Sequence, residues 1–120
     1  MAAKDELGRA GEQRAVDHLR AQGYAILDRN WRCSDGEIDI VAISGRRLCV
    51  VEVKTRTSRR YGHPFEALDE RKIRRLWRLA HAWIDAHPGT ASHAAVRLEA
   101  IGIVGADPAD GVLEHLVDLR

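Results

Sequence analysis

The segment from Glu37 to Thr55 constrains this chain most. Two runs, EIDIVAI and RLCVVEVKT, carry the alternation of a half-buried strand, and Ser44-Gly45-Arg46 joins them. If Gly45 and Arg46 form a two-residue turn, opposed residues have numbers that sum to 91. Asp39 then faces Glu52, and Glu37 faces Lys54. Because side chains alternate at period two, all four share one sheet face with Val41, Ile43, Leu48 and Val50. A three-residue loop would instead send the two carboxylates to opposite faces.

Directly opposed carboxylates repel one another, and among Val, Leu and Ile a charge is costly unless it is paired. A hard divalent cation, Mg²⁺ or Mn²⁺, resolves both problems, since it takes oxygen ligands and often needs only one or two carboxylates. Lys54 points the same way and would hold an attacking water or stabilise developing negative charge. The alternative is a surface ion-pair cluster, with Glu37 and Glu52 sharing Lys54. The residues leave both readings open.

The rest of the chain supplies the frame. Residues 4 to 22 read as a helix stopped by Gly23, followed by a strand from Tyr24, YAILDRNWR. A turn at Ser34-Asp35-Gly36 leads into the hairpin. After a loop with Gly62 and Pro64, a helix is expected from about Phe65 to His87, with Ile73, Leu76, Trp77, Ala80, Trp83 and Ile84 on one stripe. Two strands follow, at about 95 to 104 and 112 to 118. The order is α-β-β-β-α-β-β. It predicts an α/β fold, a mixed five-stranded sheet flanked by helices, in which the third and fourth strands run parallel through a helical crossover. At 120 residues the chain is read as one domain, 1–120.

On the first helix, 100° per residue places Glu12 on the arc that also holds Leu7, Gly8, Gly11, Ala15, Val16 and Leu19. The two glycines would let that face approach the sheet. An inward Glu12 would serve the hairpin centre, or else pair with an arginine such as Arg29 or Arg32.

Charge is unevenly spread. Lys54 to Arg78 holds nine basic and three acidic residues, a net +6 in a chain whose total is +1. Arg56, Arg59 and Arg60 in the loop, with Arg71, Arg74, Arg75 and Arg78 on the helix, form a candidate footprint for a polyanion. Such contacts position a substrate without reading sequence. Tyr61 and Trp31 would stack on an unpaired base or simply pack. The six histidines show no zinc spacing, and no phosphate-cradling glycine loop occurs. No apolar run approaches the roughly 20 residues of a membrane span, and the N-terminal residues lack the apolar stretch of a secretory signal. A cytoplasmic protein without membrane contact is the expectation.

Several of these motifs occur together in one known pattern. Gly8-x-x-Gly11-Glu12, Gly23-Tyr24, Arg29-Asn30, Gly36-Glu37-Ile38-Asp39 and Val51-Glu52-Val53-Lys54-Thr55-Arg56, continuing through Gly62-x-Pro64 to Arg97 and His115, resemble the YraN-like family of small bacterial proteins. That family is similar to the PD-(D/E)xK, or restriction-endonuclease-like, superfamily, and in particular to archaeal Holliday-junction resolvases. The resemblance implies a restriction-endonuclease-like core and a metal-dependent nuclease, structure-selective and acting on DNA by preference. Asp39, Glu52 and the Val53 carbonyl would hold Mg or Mn, Lys54 would serve the water, Glu12 would support the centre, and Glu37 would stand beside it. By analogy with resolvases it allows a homodimer. Ile38 replaces the proline of the superfamily name, and Arg97-Leu98-Glu99 replaces the family's usual Arg-Phe-Asp. The competing functional reading is a non-catalytic nucleic-acid-binding module with the same fold; a third is a regulatory domain whose basic helix meets an acidic protein.

Overall fold

The computed structural model describes residues 3–60, 62–90 and 95–119. Helix α1 spans Ala3–Ala21, strand β1 Ala25–Cys33, β2 Gly36–Ser44, β3 Arg47–Arg56, α2 Glu70–Ala86, β4 Ala95–Val104 and β5 Val112–Leu116, with a short 3₁₀ turn at Pro64–Ala67. The strands form one sheet in the order β1-β2-β3-β4-β5. All neighbours are antiparallel except β3 and β4, which run parallel over ten residue pairs. This is the α-β-β-β-α-β-β order read from the residues, and the mixed five-stranded sheet that the resemblance also implied.

Local chemistry sets the element ends. Gly23, at φ 89°, terminates α1, and its N–H bonds Arg20 O while the Tyr24 N–H bonds Leu19 O. This is the paired bonding of a helix closed by a left-handed residue. Gly45, at φ 57°, supplies the positive dihedral for the two-residue turn. The hairpin register follows: Ile40 pairs with Val51, Val41 with Val50 and Ser44 with Arg47, so the predicted register holds.

Helix α2 starts later than its apolar stripe suggested. The Asp69 carboxylate accepts the Lys72 N–H at 2.9 Å and caps the helix there. Phe65 belongs instead to the 3₁₀ turn, which His63 caps by accepting the Phe65 N–H. Leu79, absent from the predicted stripe, is buried alongside Leu76, Ala80 and Trp83.

The sheet is covered on both faces. On one, Val41, Leu48, Val50 and Leu98 pack with Leu76, Leu79, Ala80 and Trp83 of α2. On the other, Ile40, Ala42, Val51, Ile101 and Ile103 pack with Ala15, Val16 and Leu19 of α1. The Trp83 indole N–H is satisfied by Asp28 at 2.9 Å, which lets the ring be buried. Helix α1 crosses close over β3 at Gly11, where a Cβ would overlap the Thr55 hydroxyl. Gly8 faces open space, so only one of the two glycines serves that approach.

One departure from simple alternation shapes the site. Ile38 should share a face with Ile40, yet it packs in the α2-side core. Across the sheet, Asn30 adopts φ 53° between the pairs Arg29–Ile40 and Trp31–Ile38. Arg29 and Asn30 both reach toward α1, and Trp31 turns to the α2 side with Ile38. The irregularity thus falls beside Asp39. Trp31 is committed to packing, edge-on to His87 at 6.1 Å.

Candidate active site

Asp39 and Glu52 lie where the β2–β3 ladder opens. The last regular pair on that side is Ile40 with Val51. Beyond it the Asp39 carboxylate accepts the Val53 N–H at 2.8 Å. The predicted rung of Asp39 against Glu52 is therefore replaced by a side-chain-to-backbone bond. Both carboxylates still line one cleft of about 250 Å³, with Glu37, Lys72 and Arg75. That volume admits a hydrated cation and a phosphate group.

The electrostatics of Asp39 are unusual. Burial comes first among the causes and the Glu52 charge second; together they push its carboxyl from 3.8 up to about 7, with Glu37 and Glu12 adding to the rise. The Val53 N–H opposes the shift. Glu52 has a cationic neighbour, Lys72 Nζ at 3.4 Å. The two carboxylates and the Val53 peptide make an all-oxygen donor set, which fits a hard divalent ion. Among the described residues no group of three or more His, Cys, Asp or Glu side chains could hold a metal. Any ion here would complete its coordination with water or substrate oxygens, as Mg²⁺ commonly does.

The other predicted residues divide. Lys54 is exposed and opens on two sides: a broad groove of about 750 Å³ shared with Glu12, Asp39 and Val53, and a smaller recess with Glu52, Phe65 and Lys72. Glu12 is 7 % exposed, and of its two predicted roles the ion pair is realised: Arg29 Nε donates to it at 2.8 Å and Asn30 Nδ2 at 3.1 Å. It nonetheless remains in the groove with Asp39. Glu37 does not stand opposite Lys54. With the alternation reversed past Asp39, it pairs with Arg32 at 3.0 Å.

The basic residues are less uniform than the sequence suggested. Of the four helical arginines only Arg75 lines the cleft with the carboxylates; its Nε donates to Asp35 O at 3.3 Å and its guanidinium lies over Gly36. Arg74 pairs with Glu70 at 3.4 Å, and Arg71 and Arg78 are exposed on α2. In the loop, Arg59 pairs with Glu114 at 3.3 Å, as does His63 at 2.8 Å. Arg56 Nε is buried without a hydrogen-bond partner among the described residues, and Arg60 is exposed. Tyr61 lies outside the described residues.

A second polar centre joins Arg97, Glu99 and His115, which the sequence marked as positions of the family pattern without bringing them together. Glu99 is fully buried on the α1 side and accepts from Tyr24 Oη at 2.9 Å, Arg97 Nε at 2.9 Å and His115 Nε2 at 2.6 Å. His115 Nδ1 meets His18 Nε2 at 3.1 Å. Burial alone would raise the Glu99 carboxyl, but hydrogen bonds from His115, Cys49, Arg97 and Tyr24 together hold it below its ordinary value. Burial first, then the bond to Glu99, pushes the Tyr24 hydroxyl up to about 12. The signal was present: the period that buries Ile101 and Ile103 also buries Glu99, an acid on an apolar face.

Two helices on a five-stranded mixed sheet, with acids at the opening of its central hairpin, define an α/β protein with the element order of the restriction-endonuclease-like core. The chain belongs to the family described as "Uncharacterised protein family UPF0102", whose model matches residues 11–103. This is the YraN-like family that the motifs pointed to. Similar relatives, each called a UPF0102 protein, include one from Paenarthrobacter aurescens (strain TC1), 52 % identical over 97 % of this chain and 94 % of its own. One from Arthrobacter sp. (strain FB24) is 60 % identical over 72 % of this chain and 74 % of its own. One from Frankia alni is 48 % identical over 97 % and 95 %. No helix among the described residues is long and apolar enough to cross a membrane.

Proposed function

We propose that this protein hydrolyses phosphodiester bonds in nucleic acid, DNA by preference, with a divalent cation as cofactor. The carrying observation is the meeting of Asp39 and Glu52 in one cleft at the end of the ladder, where burial and mutual repulsion leave Asp39 with a strongly raised pKa. A buried carboxylate met by a neutral N–H is a place where a divalent cation would offset the cost of the charge. Asp39, Glu52 and the Val53 carbonyl would hold Mg²⁺ or Mn²⁺. When bound, the ion would supply Lewis acidity, polarising the phosphodiester and making a water easier to deprotonate.

The chain's own groups divide the remaining work. Lys54, at the mouth of the groove, orients the attacking water or meets the negative charge that develops on phosphate oxygen. Glu12, fixed by Arg29 and Asn30, adds negative charge to the centre at a set position. Arg75, held over the β1–β2 turn, is the helical arginine best placed to meet backbone phosphate, with Arg71 and Arg78 further along α2. These contacts carry no base readout, so selectivity would lie in the structure of the nucleic acid.

The test is cleavage of end-labelled single-stranded, duplex, flap and four-way DNA with Mn²⁺, Mg²⁺ or EDTA, with Lys54→Ala purified in parallel. Metal-dependent cutting by wild type alone supports the proposal. Equal cutting by both points to a contaminant or another site. No cutting, with salt-sensitive binding that survives Asp39→Ala, would favour the non-catalytic binding module, a reading that the exposed arginines of α2 support.

A further inference from the structure

Neither the hairpin spacing nor the superfamily pattern singles out Lys72, yet the fold brings it into the centre. It lies on the first turn of α2, where its N–H bonds the Asp69 cap at 2.9 Å and fixes its backbone. Its side chain is thereby free to cross to β3, and Nζ stands 3.4 Å from Glu52 Oε1. It borders both the cleft of Asp39 and Glu52 and the recess that holds Lys54. Glu52 is little exposed, its side chain at 18 % of full accessibility, so an ion pair here is less screened than one on the open surface.

Two partly buried carboxylates side by side are costly without a cation. In the cation-free protein one of the two carboxylates, Glu52, is met by Lys72. Asp39 has a neutral N–H from Val53, whereas Glu52 has a full positive charge. A lysine suits a temporary partner. Its ammonium is a compact point charge on a flexible stem, able to leave without disturbing the helix that carries it.

Resting on the metal-dependent reading above, we propose that Lys72 is the resident counter-ion of the centre. Its ammonium neutralises Glu52 while no metal is bound, gives up that carboxylate when a divalent cation arrives, and is then available to a phosphodiester oxygen. Cation binding and phosphate binding are thereby coupled through one side chain.

The test is a Mn²⁺ titration, reading free ion by its electron paramagnetic resonance signal, of wild type, Lys72→Met, Lys72→Gln, Lys72→Arg and Asp39→Asn. Circular dichroism checks that each is folded. Lys72→Met and Lys72→Gln should bind Mn²⁺ at least about fivefold more tightly, since one unit-charge interaction at roughly 4 Å is worth that much even at the full dielectric of water. Lys72→Arg keeps the charge and should stay within about twofold of wild type. Unchanged or weaker binding in both neutral variants, with Asp39→Asn abolishing it, would overturn the counter-ion role and leave the metal site standing. Absence of saturable binding in wild type and Asp39→Asn alike would remove the metal reading itself, and this proposal with it.

Discussion

Replacing Asp39 with asparagine should make the cation-free protein more stable at pH 8 and nearly unchanged at pH 4. In the folded protein the Asp39 carboxyl is raised from 3.8 to about 7, by burial first and the Glu52 charge second. As pH rises past 3.8 the unfolded chain releases this proton, while the folded chain keeps it until about 7. The folded state binds more protons across that window, so stability falls as pH rises through it. The full difference corresponds to about 4 kcal/mol. Asp39 is partly exposed, and solvent screening leaves about 2 kcal/mol as the working figure. For a chain of this size roughly 3–4 °C accompanies each kcal/mol, giving a gain of about 6–8 °C. Asparagine keeps an oxygen for the Val53 N–H and removes the charge. The assay is thermal unfolding in EDTA at pH 4 and pH 8, repeated with Mn²⁺ at pH 8. Wild type should gain from Mn²⁺ and the variant should not. A variant no more stable than wild type at pH 8, or equally favoured at both pH values, would refute the reasoning.

Two further predictions concern the scaffold. Gly8→Ala should stabilise by about 0.5–1 kcal/mol through helix propensity alone, since open space surrounds it, whereas Gly11→Ala should destabilise by about 1–2 kcal/mol where α1 meets Thr55. Urea unfolding of both, with Gly11→Ala/Thr55→Ala as the rescuing double variant, checks this; equal effects at the two glycines would sink the close-approach argument. Glu99→Ala should cost about 3–5 kcal/mol, because it leaves Arg97 beside an emptied buried site. The Glu99 carboxyl is held below its ordinary 4.5, so its contribution is present above that value and is lost as pH falls through the folded value. Glu99→Gln should accordingly unfold with a flatter acid limb than wild type, and parallel limbs in acid titrations followed by circular dichroism would contradict the network.

Much of the fold was legible because its determinants are local. Period-two alternation marked the strands, Gly45 set the hairpin register, and Gly23 closed α1. The meeting of Asp39 and Glu52 in one cleft followed from that register, since a two-residue turn leaves little freedom in what opposes what. Boundaries set by side-chain capping were harder to read. The apolar stripe of α2 extends back toward Phe65, but the Asp69 cap decides where the helix begins.

The partners of the charged groups were set by packing rather than by spacing along the chain. An ion pair depends on which elements are neighbours in space, and sequence spacing carries no record of that across a crossover. Glu12 meets Arg29 and Asn30, Glu37 meets Arg32, and Lys72 meets Glu52 from another element. The reversal of alternation at Asn30 and Asp39 rests on backbone strain at one residue supported by packing on both faces. Glu99 joins residues from β1's approach, β4 and β5, far apart in the chain, into one buried hub. The order of elements, the hairpin and its acids could be read from the residues, because each is written within a short stretch of chain. Which charges those acids answer to was decided by packing, because long side chains find partners only after the sheet and its helices are in place.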